Sequence, residues 1–175
     1  MNMDFNWELI KPEKGNKGRM KNRYYLAYGS NLNMYQMMVR CPGARRRGWG
    51  YIDNYELLYK GSKTGAYLTI EPKAGSQVPV GVFTVTAEDE RRLDRYEGFP
   101  KFYYKKEVKI KIWDQVLEKN RKVDAFVYIM HEDRKLGVPS PFYVATCMEG
   151  YEDFGFDPAL LEKAERESLA AEGGE

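Results

Sequence analysis

Strand-forming segments follow one another along the chain with connections too short for a parallel crossover. A parallel crossover takes a dozen or more residues, so the sheet is predicted to be mainly antiparallel. With roughly seven strands, a closed or partly closed barrel hides the sheet edges. The predicted fold class is therefore α+β, a small, mainly antiparallel β-barrel. The expected strands are 24–28, 50–59, 66–70, 78–85, 103–113 and 123–130, with turns at 61–65 and 71–75.

Helices are expected to flank the barrel, because four segments carry start or stop signals. A Ser, Thr or Asn cap opens three of them, and a Gly or Pro follows where each should end. The expected helices are 33–39 with Asn33 and Gln36 as a capping box, 87–97 capped by Thr86, 141–149 capped by Ser140, and 158–169.

The chain is predicted to hold a single domain. Residues 1–22 are polar and rich in Lys, Gly and Asn, so we interpret them as a flexible N-terminal extension, with Met20 as a candidate natural start. The domain is expected to span 23–170, and residues 171–175 to fray.

Several kinds of site are excluded by the residues available. The 175 residues include one histidine, His131, and two cysteines, Cys41 and Cys147. Sites with two histidine ligands and four-thiolate zinc sites are therefore impossible. No apolar run approaches the roughly 20 residues that span a bilayer. Without a signal-peptide core and with unpaired cysteines, the protein is expected in the cytoplasm.

The charge pattern does not indicate nucleic-acid binding. The net charge is +2, but residues 1–23 hold six basic and three acidic residues, so the remaining chain is near neutral. A nucleic-acid interface needs a concentrated basic surface. The run Arg45-Arg46-Arg47 is interpreted as a solvated turn after a helix.

Three segments could carry chemistry, each with a plainer alternative. Tyr28-Gly29-Ser30-Asn31-Leu32 joins a buried strand to a helix, where backbone N–H groups can cradle an anion or simply form a tight turn. Glu97 ends a helix, where burial and the helix dipole would both raise its pKa; alternatively it is an exposed partner of an arginine. Tyr143 lies in the first turn of a helix beside free N–H groups, although packing in the core is the more common role of such a ring.

In order and spacing, these segments together resemble the gamma-glutamylcyclotransferase family, including its AIG2-like members. The matching motifs are YGSNL at 28–32, LDRYEG at 93–98, PSPFY at 139–143 and GYEDFG at 150–155. The resemblance covers most of the chain, from about Tyr24 to about Leu161. It implies a small mixed β-barrel with flanking helices and an enzyme without a cofactor.

The resemblance also implies a reaction and its residues. Family members cyclise a γ-glutamyl group, releasing 5-oxoproline and a free amino acid or amine. Glu97 would be the catalytic carboxylate, and the substrate-binding residues would be Tyr28, Gly29, Ser30, Asn31, Leu32, Tyr103 and Tyr143, with Tyr104 a possible substitute for Tyr103. The loop N–H groups would bind the α-carboxylate and the oxyanion, and Glu97 would move the proton.

Other readings of the same residues stay open. The pocket could hold a small acidic ligand without turnover, and a tyrosine-rich barrel could bind RNA. The leaving group could be an amino acid or an amine on a larger molecule. Its selection is expected to depend on pocket shape, set by residues 60–66 and 131–143, and the expected partner is a small γ-glutamyl substrate.

Overall fold

Five β-strands form a closed barrel in the computed structural model, which describes residues 21–62 and 65–173. Around the barrel they lie in the order β1-β3-β2-β4-β5, and β1 returns to β5. Only the β1–β5 pair is parallel among these neighbours. The predicted α+β class with a mainly antiparallel sheet is confirmed. The strands are β1 (Arg23–Ala27), β2 (Arg45–Ser62), β3 (Gly65–Val85), β4 (Tyr103–Asp114) and β5 (Lys119–Met130).

Four α-helices and one short 3-10 turn, Ser30–Leu32, complete the described structure. The predicted caps are present: Asn33, Thr86 and Ser140 each accept a backbone N–H three residues on. Only Thr86 forms a reciprocal capping box. The Gln36 side chain accepts from Arg40 at 3.2 Å, so the box expected at Asn33 is wrong. The helices are α1 (Met34–Arg40), α2 (Ala87–Glu97), α3 (Pro141–Phe154) and α4 (Ala159–Glu172).

The predicted number of strands is wrong, because two long strands replace several short ones. Residues 71–75, expected to be a turn, lie inside β3. Opposite them the register shifts between Asp53 and Tyr55, and Asn54 adopts a left-handed φ of 60°. Its side-chain oxygen accepts from the Gly75 N–H at 3.0 Å. A bulge of this kind bends a strand pair without ending it, which a turn-like composition does not reveal.

The arginine run 45–47 is also placed differently from the prediction. These residues are the first three of β2, not a solvated turn. The Arg46 guanidinium lies 3.9 Å from the Phe154 ring centroid, and Arg47 donates to Asp114 at 3.1 Å. Both side chains therefore fasten β2 to neighbouring elements.

The predicted N-terminal extension falls mainly outside the described residues, and the predicted fraying of the C-terminus falls partly outside them. The expected extension, 1–22, falls mainly on residues outside the described part, and Lys21 and Asn22 are exposed. Helix α4 reaches Glu172, and residues 174–175 lie outside the described ranges.

Packing against the barrel interior and against α3 fixes the position of the 3-10 turn. Leu26, Val80 and Phe126 are completely buried between the strands. Helix α3 crosses the 3-10 turn at Gly150, where an added Cβ would lie 2.6 Å from the backbone nitrogen of Asn33. Only a glycine allows this approach, so α3 holds the turn from below.

We expect Gly150→Ala to destabilise the protein by about 1–3 kcal/mol, because the new methyl group must displace backbone atoms. In an uncrowded helix the same change would stabilise by up to about 1 kcal/mol. Chemical denaturation measures the difference. Gly173→Ala is the matched control, since its Cβ would meet its nearest neighbour at 3.7 Å. A Gly150→Ala variant as stable as the wild type contradicts this packing.

Candidate active site

A cavity of about 370 Å³ opens where β1 ends and the 3-10 turn begins. Its walls come from β1, this turn, the start of β3, the end of α2, both strands of the β4–β5 pair and α3. It brings together seven of the eight residues predicted from the sequence: Tyr28, Gly29, Ser30, Asn31, Glu97, Tyr103 and Tyr143. The eighth, Leu32, is fully buried beneath the turn, and its N–H donates to the Gly29 carbonyl at 3.0 Å.

Glu97 reaches the cavity because it is the last residue of α2. The helix ends at Gly98, whose left-handed φ of 62° lets its N–H bond back to the last turn. The carboxylate is partly buried at the C-terminal end of the helix. The negative end of a helix dipole disfavours a negative charge, so this position favours a proton on Glu97.

The side-chain amide of Asn31 connects Glu97 to the rest of the site. Its nitrogen donates to Glu97 Oε1 at 3.2 Å and to the Tyr25 hydroxyl at 2.9 Å. Its oxygen accepts from Arg40. The Arg40 guanidinium in turn stacks on Tyr96, 3.4 Å from the ring centroid. One amide therefore fixes the position of the carboxylate and keeps Arg40 close to it.

Burial raises the pKa of Glu97 to about 7, and the nearby Arg40 opposes that rise. A carboxyl group with this pKa exists in both protonation states near neutral pH. It can therefore accept a proton in one step and return it in the next, as a general acid–base catalyst must.

The 3-10 turn presents backbone donors at the cavity wall. In such a turn the N–H groups ahead of its first bond have no partner within the turn. Here these belong to Gly29, Ser30 and Asn31, and all three residues line the cavity. The Ser30 hydroxyl lies 3.1 Å from the Tyr96 hydroxyl. An anionic group of a ligand could be bound at this wall.

Two of the predicted tyrosines bracket the backbone of Leu68. Tyr103 donates to the Leu68 carbonyl at 2.8 Å, and Tyr143 accepts the Leu68 N–H at 3.2 Å. Tyr28 donates to the carbonyl of Tyr128 at 2.6 Å. Burial raises the pKa of Tyr28, Tyr103 and Tyr143 well above the usual range. These hydroxyls therefore act as neutral hydrogen-bonding groups rather than as bases.

Sequence reasoning missed several residues of the cavity. Tyr25 could have been found, because it lies three residues before Tyr28 on the strand that leads into the turn, and Tyr96 directly precedes Glu97. Tyr67, Phe102 and Tyr128 carried no local signal, since strand pairing over long sequence distances brings them here. Within residues 21–62 and 65–173, no three His, Cys, Asp or Glu side chains are grouped as a metal site would need.

The chain belongs to the family described as gamma-glutamyl cyclotransferase, AIG2-like, whose model matches residues 25–144. The match includes the 3-10 turn, Glu97, Tyr103 and Tyr143. No curated protein sequence matches the chain. Among the described residues, no helix is long and apolar enough to cross a membrane.

Solved structures share the fold at low sequence identity. A protein titled gamma-glutamyl cyclotransferase has a TM-score of 0.69 and 23% identity, over 83% of this chain and 87% of that one. The human uncharacterized protein LOC79017 has a TM-score of 0.68 and 24% identity, over 83% and 88%. YkqA from Bacillus subtilis has a TM-score of 0.67 and 16% identity, over 86% and 55%. These likenesses concern the fold.

We expect the Glu97 carboxyl to titrate with a midpoint near 7, as its burial dictates. Side-chain carboxyl NMR over a pH series measures this midpoint. Glu88 is an internal control in the same helix, because Arg91 lowers its pKa below the usual range. A Glu97 midpoint below 5 would contradict the burial of its charged form.

The raised pKa of Glu97 also predicts a pH-dependent stability. The folded protein holds its proton more tightly than the unfolded chain, so Glu97 lowers stability as pH rises from 4.5 through about 7. Relative to wild type, Glu97→Gln should gain on the order of 1–3 kcal/mol in unfolding free energy between pH 4 and pH 8. Glu88→Gln should change in the opposite direction and only slightly. A Glu97→Gln difference that is constant with pH refutes the expectation.

Proposed function

We propose that the protein is a cyclotransferase that cyclises a γ-glutamyl group, releasing 5-oxoproline and a free amino acid or amine. The observation that carries the proposal is Glu97: a partly buried carboxyl, with a pKa of about 7, facing a cavity beside the donors of Gly29, Ser30 and Asn31. Membership of the family supports the same reaction.

The substrate supplies its own nucleophile. Its α-amine attacks the γ-carbonyl carbon, a C–N bond forms to close a five-membered ring, and the bond to the leaving nitrogen breaks. Holding the two groups together converts the attack to an intramolecular one, which lowers the barrier by several kcal/mol, up to about 7–11. The cavity volume of about 370 Å³ is large enough for such a folded substrate.

Proton transfer is the chemical task left to Glu97. The α-nitrogen carries three protons as an ammonium group and one in the product lactam. Glu97 takes one proton so that the amine can attack, and returns it to the leaving nitrogen at bond cleavage. The second proton ends on the released amine, which becomes an ammonium ion. The reaction therefore consumes neither water nor an external base.

Backbone donors would bind the charged ends of the substrate. In the proposal, the N–H groups of Gly29, Ser30 and Asn31 hold the α-carboxylate and stabilise the oxyanion on the former carbonyl. Tyr28, Tyr103 and Tyr143 shape the cavity around the substrate, and Leu32 supports the turn from below. The substrate is the expected small-molecule partner, and the free cysteines Cys41 and Cys147 support a cytoplasmic setting.

We expect Glu97→Gln to lower 5-oxoproline release from γ-glutamyl compounds by about 10²- to 10⁴-fold, because it keeps the shape of the side chain and removes its proton transfer. Release is measured by chromatography with γ-glutamyl amino acids, a γ-glutamyl diamine and glutathione. Glu88→Gln, exposed on the same helix, is the matched control and should match the wild type.

Two results would count against the proposal. Near-wild-type turnover by Glu97→Gln would exclude Glu97 as the proton carrier. If the wild type binds γ-glutamyl compounds but releases 5-oxoproline from none of them, the cavity is a binding site without turnover.

A further inference from the structure

The residues that line the cavity form two groups that differ in burial, which we call the inner and the outer compartment. The inner compartment consists of Tyr25, Tyr28, Tyr103 and Tyr128, which are each 6% exposed or less, and the Asn31 amide connects Tyr25 to Glu97. The outer compartment consists of Tyr67, Phe102 and Tyr143, which are partly buried, and the exposed Arg95. Resting on the proposed function, the α-amine lies at Glu97, so the leaving group extends into the outer compartment.

Three aromatic rings form the walls of the outer compartment. Tyr67 meets Tyr143 at 5.2 Å between ring centroids and an angle of 90°. It meets Phe102 at 6.3 Å and 86°. The Tyr143 hydroxyl is engaged with the Leu68 N–H, which leaves its ring to face the cavity. Rings at these distances and angles are in edge-to-face contact with one another, so they form one continuous apolar wall against which a flat or bulky apolar group can pack.

The charges around these rings are positive. Arg134 lies over Phe102, 4.8 Å from the ring centroid, and its buried Nε has no hydrogen-bond partner in the part of the chain described. A ring that already faces one cation attracts a second one less. Arg95 forms no ion pair with any described residue, and Glu97 is the sole carboxylate of the described cavity wall. A carboxylate is therefore favoured here and an ammonium group disfavoured.

We propose that the outer compartment selects a leaving α-amino acid with an aromatic or large apolar side chain. The side chain packs against the wall formed by Tyr67, Phe102 and Tyr143, and the carboxylate pairs with Arg95. The rings and Arg95 thus act as specificity-determining residues, and Arg134 is a positioning residue behind Phe102.

Four probes separate the two contributions in wild-type kcat/KM for 5-oxoproline release. They are the γ-glutamyl conjugates of phenylalanine, alanine, phenethylamine and putrescine. Phenylalanine against alanine measures the ring contribution. Phenylalanine against phenethylamine measures the carboxylate alone, since that group is their one difference. We expect each ratio to be about tenfold or more, with the putrescine conjugate the poorest substrate.

Variants assign each ratio to its residue. Phe102→Leu keeps apolar volume without the ring and should lower the phenylalanine/alanine ratio by about fivefold, leaving the phenylalanine/phenethylamine ratio unchanged. Arg95→Gln should lower the phenylalanine/phenethylamine ratio and leave the phenylalanine/alanine ratio unchanged. Because Arg95 is exposed, this variant should fold even if Phe102→Leu does not. Phe142→Ala is the control: it neighbours Tyr143 but is 78% exposed, and neither ratio should move.

Binding separates this inference from the proposed reaction. Calorimetry with Glu97→Gln compares the phenylalanine and alanine conjugates without turnover, and the former should bind about tenfold tighter. If the wild type turns over all conjugates equally, or prefers putrescine, the inference is overturned and the reaction stands. If no conjugate yields 5-oxoproline yet the phenylalanine conjugate binds more tightly, the compartment assignment stands and the reaction is overturned.

Discussion

The hydrogen bonds of one side-chain amide, that of Asn31, hold the site together. They join β1 through Tyr25, α1 through Arg40 and α2 through Glu97. An amide suits this position because it donates and accepts at once without carrying a charge. A carboxylate there would repel Glu97, and a lysine would hold it ionised. The half-protonated state of Glu97 near neutral pH therefore depends on a neutral bridge as well as on burial.

Local signals predicted the helices and several of the residues that line the cavity, because capping and stopping are properties of a few neighbouring residues. In α2, for example, Thr86 and Asp89 form the capping box at the start of the helix, and Gly98 ends the helix directly after Glu97. The predicted number of strands is wrong because residues 66–70 and 78–85 belong to one strand, β3. The residues between them have a turn-like composition, but they lie opposite the bulge at Asn54 of β2 and stay within the strand. Arg46 and Arg47 were misread because their partners, Phe154 and Asp114, are far away in sequence.

The outer part of the cavity could not be predicted for the same reason. Glu97 and the turn at 29–31 each stand out by their position at the end of an element. By contrast, Tyr67 and Phe102 look like ordinary strand and loop aromatics in the sequence. They come to line one cavity wall only when the barrel brings the start of β3 next to the residues before β4. The family resemblance predicted that the end of the cavity with Glu97 is the catalytic end, and the three-dimensional structure was needed to find the residues of the other end.

The parallel pairing of β1 with β5 has a consequence for how the protein forms on the ribosome. Tyr24 pairs with Ala125, so the barrel closes through contacts between distant parts of the chain, which form slowly. Synthesis proceeds from the N-terminus, and β5 follows every other strand. The cavity residues on β1, the turn and α2 therefore leave the ribosome before the strand that encloses them. Until β5 docks, the cavity lacks the wall that Tyr128 supplies, so the environment that raises the pKa of Glu97 is complete only when the barrel closes.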